Sequence, residues 1–272
     1  MKKLFLFSAI AAAFTLFSCN NSSNDALAPQ EITAVEASQI KALGFSATGV
    51  TREDGGYIVE GDIFLSPEDL LSKNASTSTF LRVGDEEQYR TTNLVTGLPR
   101  TITVSISGLP STYTTALDTA IARYNAVGLR ITLQRITSGT GDIAFKAAPK
   151  NARYLASGGF PSGGNPYNQV LVNASQIGTG TTVTFYQFCG SILEHEMGHC
   201  IGFRHTDYYD RSISCGGATS NEGASTVGAI LIPGTPSTAT NAANSFMLAC
   251  VSLNQNRPFN PDDIIALNYL YK

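Results

Sequence analysis

The sequence predicts an α+β fold: a mixed twisted sheet and two helices in an upper lobe, with a small irregular lower lobe closed by a C-terminal helix. Three observations predict it. The apolar period runs from two to about 3.6 and back to two between Thr101 and Ile136, so strand, helix and strand follow one another. Two more short strand-like runs precede a second, strongly apolar helical stretch from Tyr186, and this order favours a sheet with helices packed on it. From about residue 206 the chain turns irregular, rich in Gly, Ala, Ser and Thr over residues 216–245. A chain of 272 residues with 43% hydrophobic and 14% charged residues can bury one substantial core, or form a catalytic domain with a smaller segment before it.

The N-terminus reads as a signal peptide over residues 1–18. Met1-Lys2-Lys3 precedes an apolar run from Leu4 to Phe17 that is too short for a stable membrane span. Leu16-Phe17-Ser18-Cys19 resembles the bacterial lipobox, with Phe17 bulkier than usual there. The resemblance implies a lipid anchor on Cys19 and export as an outer-membrane or cell-surface lipoprotein, otherwise as a periplasmic or secreted protein. Residues 19–90 read as a tether and prosegment-like region, and residues 91–272 as the catalytic domain.

Glu31 to Leu43 has helical apolar spacing and stops at Gly44. Between Val50 and Leu65 two extended runs flank the turn signal Asp54-Gly55-Gly56. Ser66-Pro67-Glu68-Asp69 is a helix start with a hydroxyl cap and an early proline, and Lys73 to Thr79 is a polar linker. The alternation Thr101 to Ile106 is a strand. Ser111 to Val127 is a helix with Tyr113, Leu117, Ala120, Ile121 and Tyr124 on one face, ended by Gly128. Strands are expected at Arg130 to Ile136, Asp142 to Lys146 and Gln169 to Asn173. The glycine- and proline-rich stretch from Ala156 to Asn168 reads as a surface loop; it lacks the Gly-Lys-Ser/Thr ending of a phosphate-binding loop.

A net charge of -3 with scattered lysines and arginines excludes a nucleic-acid footprint; a monomer is expected, touching membrane only through the lipid. With Cys19 acylated, Cys189, Cys200, Cys215 and Cys250 remain. In an exported chain they predict two disulfides of unknown pairing, with Cys200 tethering its helix.

Residues 195–205 read His-Glu-Met-Gly-His-Cys-Ile-Gly-Phe-Arg-His and fill every fixed position of H-E-x-x-H-x-x-G-x-x-H. On a helix His195 and His199, four residues apart, face the same way and can hold one tetrahedral Zn2+. Gly202 can take the positive φ that turns the chain so that His205 becomes the third ligand. Three protein ligands leave a fourth position for water, the arrangement of a catalytic site, and Glu196 is the expected general base. These are the chain's three histidines, all at ligand positions of one motif.

On these residues the chain resembles the metzincin zinc metallopeptidases, and among them the bacterial dual-action HEIGH metallopeptidases, from which His195-Glu196-Met197-Gly198-His199 differs by Met for Ile. The resemblance covers roughly Thr91 to Lys272. It implies a metzincin-like fold, Met247 in a tight Met-turn beneath the zinc, and a terminal helix capped by Asn260 with Pro261 in its first turn. No tyrosine lies two residues after Met247, and Thr206 follows the third histidine as in the matrix-type enzymes. Glu60-Gly61-Asp62-Ile63 resembles the Gly-Asp motif of astacin-type prosegments, which implies Asp62 as a zinc ligand of a latent state. No cysteine lies between Asn20 and Phe188, so no thiolate from this segment can play that part. The expected activity is endopeptidase cleavage of proteins or peptides; the rivals are a zinc hydrolase of non-peptide amides or esters and a non-catalytic binding lipoprotein. No Asp-rich calcium loop is visible.

Overall fold

The computed structural model describes residues 31–53, 55–71, 88–223, 228–235 and 244–272. The signal peptide, Cys19 and the linker Lys73 to Thr79 lie outside the described residues.

Helix α1 (Ala34–Ala42) carries a capping box, Thr33 and Glu36 each satisfying the other's backbone N–H. Next comes an antiparallel meander of β1 (Thr51–Glu53), β2 (Gly56–Val59) and β3 (Ile63–Leu65), then α2 (Pro67–Leu71). The two runs expected here are thus three strands. Glu60 and Gly61 both take positive φ, 56° and 94°, and fold the second run back so that Val59 opposes Ile63. Ile40, Phe45, Val59, Ile63 and Leu65 close a small apolar core of their own, with Phe160 packed against it.

Strand β4 (Tyr89–Arg90) leads to β5 (Arg100–Ser107), α3 (Ser111–Ala126), β6 (Ile131–Arg135), β7 (Ile143–Ala147), β8 (Ala156–Ser157) and β9 (Gln169–Val172). The main sheet has the order β6-β5-β7-β9-β8, parallel except for β8, which runs antiparallel to β9 along one edge. Here the expected surface loop needs correction. Residues 156–159 are buried, and Gly158 extends the β8 edge by hydrogen bonding to the β3 segment: its N–H donates to Asp62 O and its carbonyl accepts from Phe64 N–H, both at 3.0 Å. The glycines serve close packing there rather than solvent exposure.

Helix α4 (Ala174–Ile177) precedes the long α5 (Val183–Ile201), capped at its start by Thr182. The predicted face of α3 is buried, and α3 packs tightly on α5: a Cβ on Gly190 would lie 3.2 Å from the Ala116 carbonyl. With α3 on one side and C-terminal segments on the other, α5 is buried from Phe188 to Ile201. It ends at Gly202, whose φ of 113° is closed to most side chains and whose Cβ would meet Leu94 at 2.7 Å.

The remainder holds α6 (Ser212–Cys215), β10 (Ile230–Leu231), paired with β4, and α7 (Pro261–Tyr271), which has the expected Asn260 cap and Pro261 start. No helix among the described residues is long and apolar enough to cross a membrane. Of the two disulfides expected, one is present, Cys215–Cys250, while Cys189 and Cys200 are buried free thiols. The reason is geometric. Both sit on α5 eleven residues apart, about 16 Å along the axis at ~1.5 Å per residue, so they cannot reach one another. Cys200 tethers nothing; it packs beside Gly158, whose Cβ would lie 3.7 Å from its sulfur.

Candidate metal centre

His195 and His199 project from one face of α5, and the turn at Gly202 brings His205 to them, with ring centroids 4.6 to 5.2 Å apart. Asp62 enters from the turn between β2 and β3. One ligand-type atom from each of these four residues lies within 4.8 Å of the other three. His199 Nε2 is 3.2 Å from His205 Nε2; Asp62 Oδ2 lies 3.1 Å from His205 Nε2 and 3.6 Å from His195 Nε2. The sequence-derived ligand set is thus brought together, with Asp62 among it.

The other ring nitrogen of each histidine is anchored. His195 Nδ1 bonds to the Phe246 carbonyl, His199 Nδ1 to the Phe203 carbonyl and His205 Nδ1 to Glu222 Oε1, each at 2.9 Å. Carbonyls and carboxylates only accept, so each Nδ1 carries a proton, and each ring in its neutral form offers an Nε2 lone pair to the cluster. Three buried lone pairs aimed at one point repel one another unless a cation lies between them, and His195 Nε2 has no hydrogen-bond partner. The donor set therefore fits a metal ion with nitrogen ligands.

Charge runs high around this point. Burial alone would raise the Asp62 carboxyl, but the histidines, His205 foremost, outweigh it and hold it well below the usual carboxylate range. His199 is pushed well below the ordinary histidine value by burial, then by the charges of His195 and His205. His205 goes the other way: burial lowers it, and Asp62 and Glu222 together carry it well above. Glu196 is 2% exposed, with one carboxylate oxygen unpartnered; burial raises it well above the usual range, and Asp62 adds to this. A side chain at Gly158 would come within 3.0 Å of that carboxylate, so the glycine keeps the space beside Glu196 open.

Met247 is fully buried under the α5 turn that bears the histidines. A Cβ on Gly198 would lie 2.5 Å from its sulfur, so Gly198 is needed for the two to meet. The turn around Met247 is pinned from α7: Asp263 accepts from Ser245 Oγ at 2.7 Å, Gln88 Nε2 at 2.6 Å and Phe246 N–H at 3.1 Å. That fixes the carbonyl orienting His195.

Sequence reasoning missed Glu222 and two arginines. Arg204, 1% exposed, lies among the rings of Phe45, Phe160 and Tyr208 and pairs with Glu60 at 3.0 Å, with Glu222 at 3.8 Å. Arg211 reaches Glu222 at 3.3 Å and donates to the Glu60 carbonyl. Its guanidinium would lie 3.3 Å from a Cβ on Gly61. The Asp62 turn is therefore held at Glu60 by two cations, Arg204 on the side chain and Arg211 on the carbonyl.

A model of the dual-action HEIGH metallo-peptidase family matches residues 58–271, which take in Asp62, the three histidines, Glu196, Glu222 and Met247. No curated protein matches the chain. Among solved structures the chain is similar to two of myroilysin, both at 15% identity. One gives a TM-score of 0.41 over 66% of this chain and 96% of that one; the other gives 0.39 over 65% and 86%.

Proposed function

Because the chain belongs to the dual-action HEIGH metallopeptidase family, we propose that it is an exported zinc endopeptidase of metzincin type, with His195, His199 and His205 as metal ligands and Glu196 as general base. The observation that carries this reading is the convergence of three Nε2 atoms, each aimed by a bonded Nδ1, beside a buried carboxylate with an unpartnered oxygen. Zinc, when bound, supplies a Lewis acid for the scissile carbonyl and lowers the pKa of water.

Glu196 accepts a proton from the attacking water and returns it to the leaving amine. Its raised pKa suits both halves of that task, since a carboxylate at its ordinary value is a weak base near neutrality. Met247 and the Asp263-held turn keep His195 aimed. Glu222 does the same for His205, and Glu222→Gln is expected to weaken zinc binding about 10- to 100-fold. Competition with a chromophoric chelator measures this; unchanged affinity would place the control of His205 elsewhere.

Asp62 makes the full chain latent. Its carboxylate stands as a fourth ligand beside the three Nε2 atoms, in the place of the water, with Gly158, Arg204 and Arg211 gripping the chain on either side. Residues 1–18 act as the export signal, Cys19 as the lipid anchor, and residues 19–90 as tether and prosegment to a catalytic domain over 91–272; the Cys215–Cys250 disulfide fits an oxidising compartment.

The reading is tested by metal analysis and a substrate panel. The purified protein should hold about one zinc per chain, and its Asp62→Ala form should cleave peptides; chelation should abolish that cleavage and added zinc restore it. A zinc-loaded protein that hydrolyses esters or non-peptide amides but no peptide would transfer the site to the rival hydrolase reading.

A further inference from the structure

Beside His195 and Glu196 opens a cavity of about 250 Å³. That is smaller than the roughly 300–1,000 Å³ pockets that hold drug-sized ligands, and suits a single side chain. Ile192, one turn before Glu196 on α5, lines it together with Phe246, Leu248 and Val251 from the segment around and after Met247. Apart from Asp62 and Glu196, its charged lining is entirely cationic: Arg153, Arg211 and Arg257.

These three differ in what they have left to offer. Arg211 is engaged by Glu222 and by the Glu60 carbonyl. Arg153 is exposed. Arg257 is 7% exposed, and the hydrogen-bond acceptors it meets are all neutral: the carbonyls of Leu248 and Cys250, and Gln255 Oε1. Its Nε–H is buried without a partner, and among the described residues no carboxylate lies within ion-pair distance of it. A buried guanidinium lining a cavity, with no carboxylate in direct contact, is a costly arrangement that an incoming anion relieves. Burial weakens its hold on the proton, and Asp207 and Asp263 oppose this only in part.

We propose that this cavity receives an acidic side chain of the substrate next to the scissile bond, with Arg257 as the specificity-determining residue and Arg153 drawing acidic segments to the entrance. The inference rests on the peptidase reading. Apolar walls strengthen a carboxylate–guanidinium contact, and an amide of the same shape brings no charge to it, so the pocket distinguishes Glu from Gln and Asp from Asn.

The test uses the zinc-loaded full chain carrying Asp62→Ala, which opens the cleft. A peptide library locates the cut sites, and matched Glu and Gln peptides then give a kcat/KM ratio, expected at about tenfold or more in favour of Glu. Arg257→Gln should collapse that ratio toward one, and Arg257→Lys should restore part of it. A merely structural arginine would instead lower both peptides alike and leave the ratio standing, which overturns the proposal. Since Arg257 also braces two carbonyls, Arg153→Gln provides a second probe on an exposed residue, expected to reduce the ratio several-fold and make it less sensitive to salt. A ratio near one without either arginine change overturns it as well. If no peptide is cleaved, the peptidase reading fails separately. The pocket is then judged by binding of labelled Glu and Gln peptides to the Asp62→Ala, Glu196→Gln protein: tighter Glu binding supports it, and equal binding overturns it.

Discussion

Glu196→Gln is expected to lower peptide cleavage by about 10²- to 10⁴-fold, the range for loss of a positioned general base, while zinc content and the folded state stay as they are. The substitution keeps shape and buried volume and removes the proton acceptor. It also removes a carboxyl group whose charged form is disfavoured by burial and by Asp62, so the variant should be no less stable than the parent. Metal analysis and a thermal melt alongside the kinetics separate the outcomes. Retained cleavage at full zinc content would take the general base away from Glu196.

Asp62→Ala should raise the activity of the full chain at matched zinc. Hydrogen bonds to charged groups contribute about 1.5–3 kcal/mol, so losing the Asp62 contact should shift the closed segment's occupancy roughly ten- to a hundredfold. The point substitution tests latency better than deleting everything before residue 91. Deletion would strip the apolar core formed by Ile40, Phe45, Val59 and Ile63 off Phe160, and would leave Arg204, 1% exposed, without Glu60. Loss of activity in such a truncation would therefore report misfolding. Equal activity of Asp62→Ala and the parent would reject latency through this carboxylate and leave the turn as a structural brace.

The parts of the molecule that were legible in the sequence are those set by neighbours along the chain. The Ser66 cap of α2, the Asn260 cap of α7, the apolar face of α3 and the helical pitch joining His195 to His199 all depend on residues within a few positions of one another. Even the close approach of Asp62 was readable, through a short resemblance. Glu222 was not, because it lies in a stretch of small residues whose path is set by distant partners, His205, Arg204 and Arg211. The Gly158 edge was misread for a related reason: glycine looks the same in sequence whether it frees a loop or admits a close neighbour, and Glu196 and Asp62 supply the difference. For the cysteines the signal was present. Two of them fall within one apolar helix, too far apart to join and too buried to meet a third.

The three histidines of the cluster are translated within eleven residues of each other, but the groups that aim them are not. His195 takes its direction from Phe246, whose turn is fastened by Asp263 in the final helix, and His205 from Glu222. A growing polypeptide therefore owns its ligands long before it owns their orientation. The geometry of the centre is complete only when the C-terminal helix docks, and a chain stopped at Phe259 is expected to carry the whole motif without the Asp263 contact that fixes the turn aiming His195.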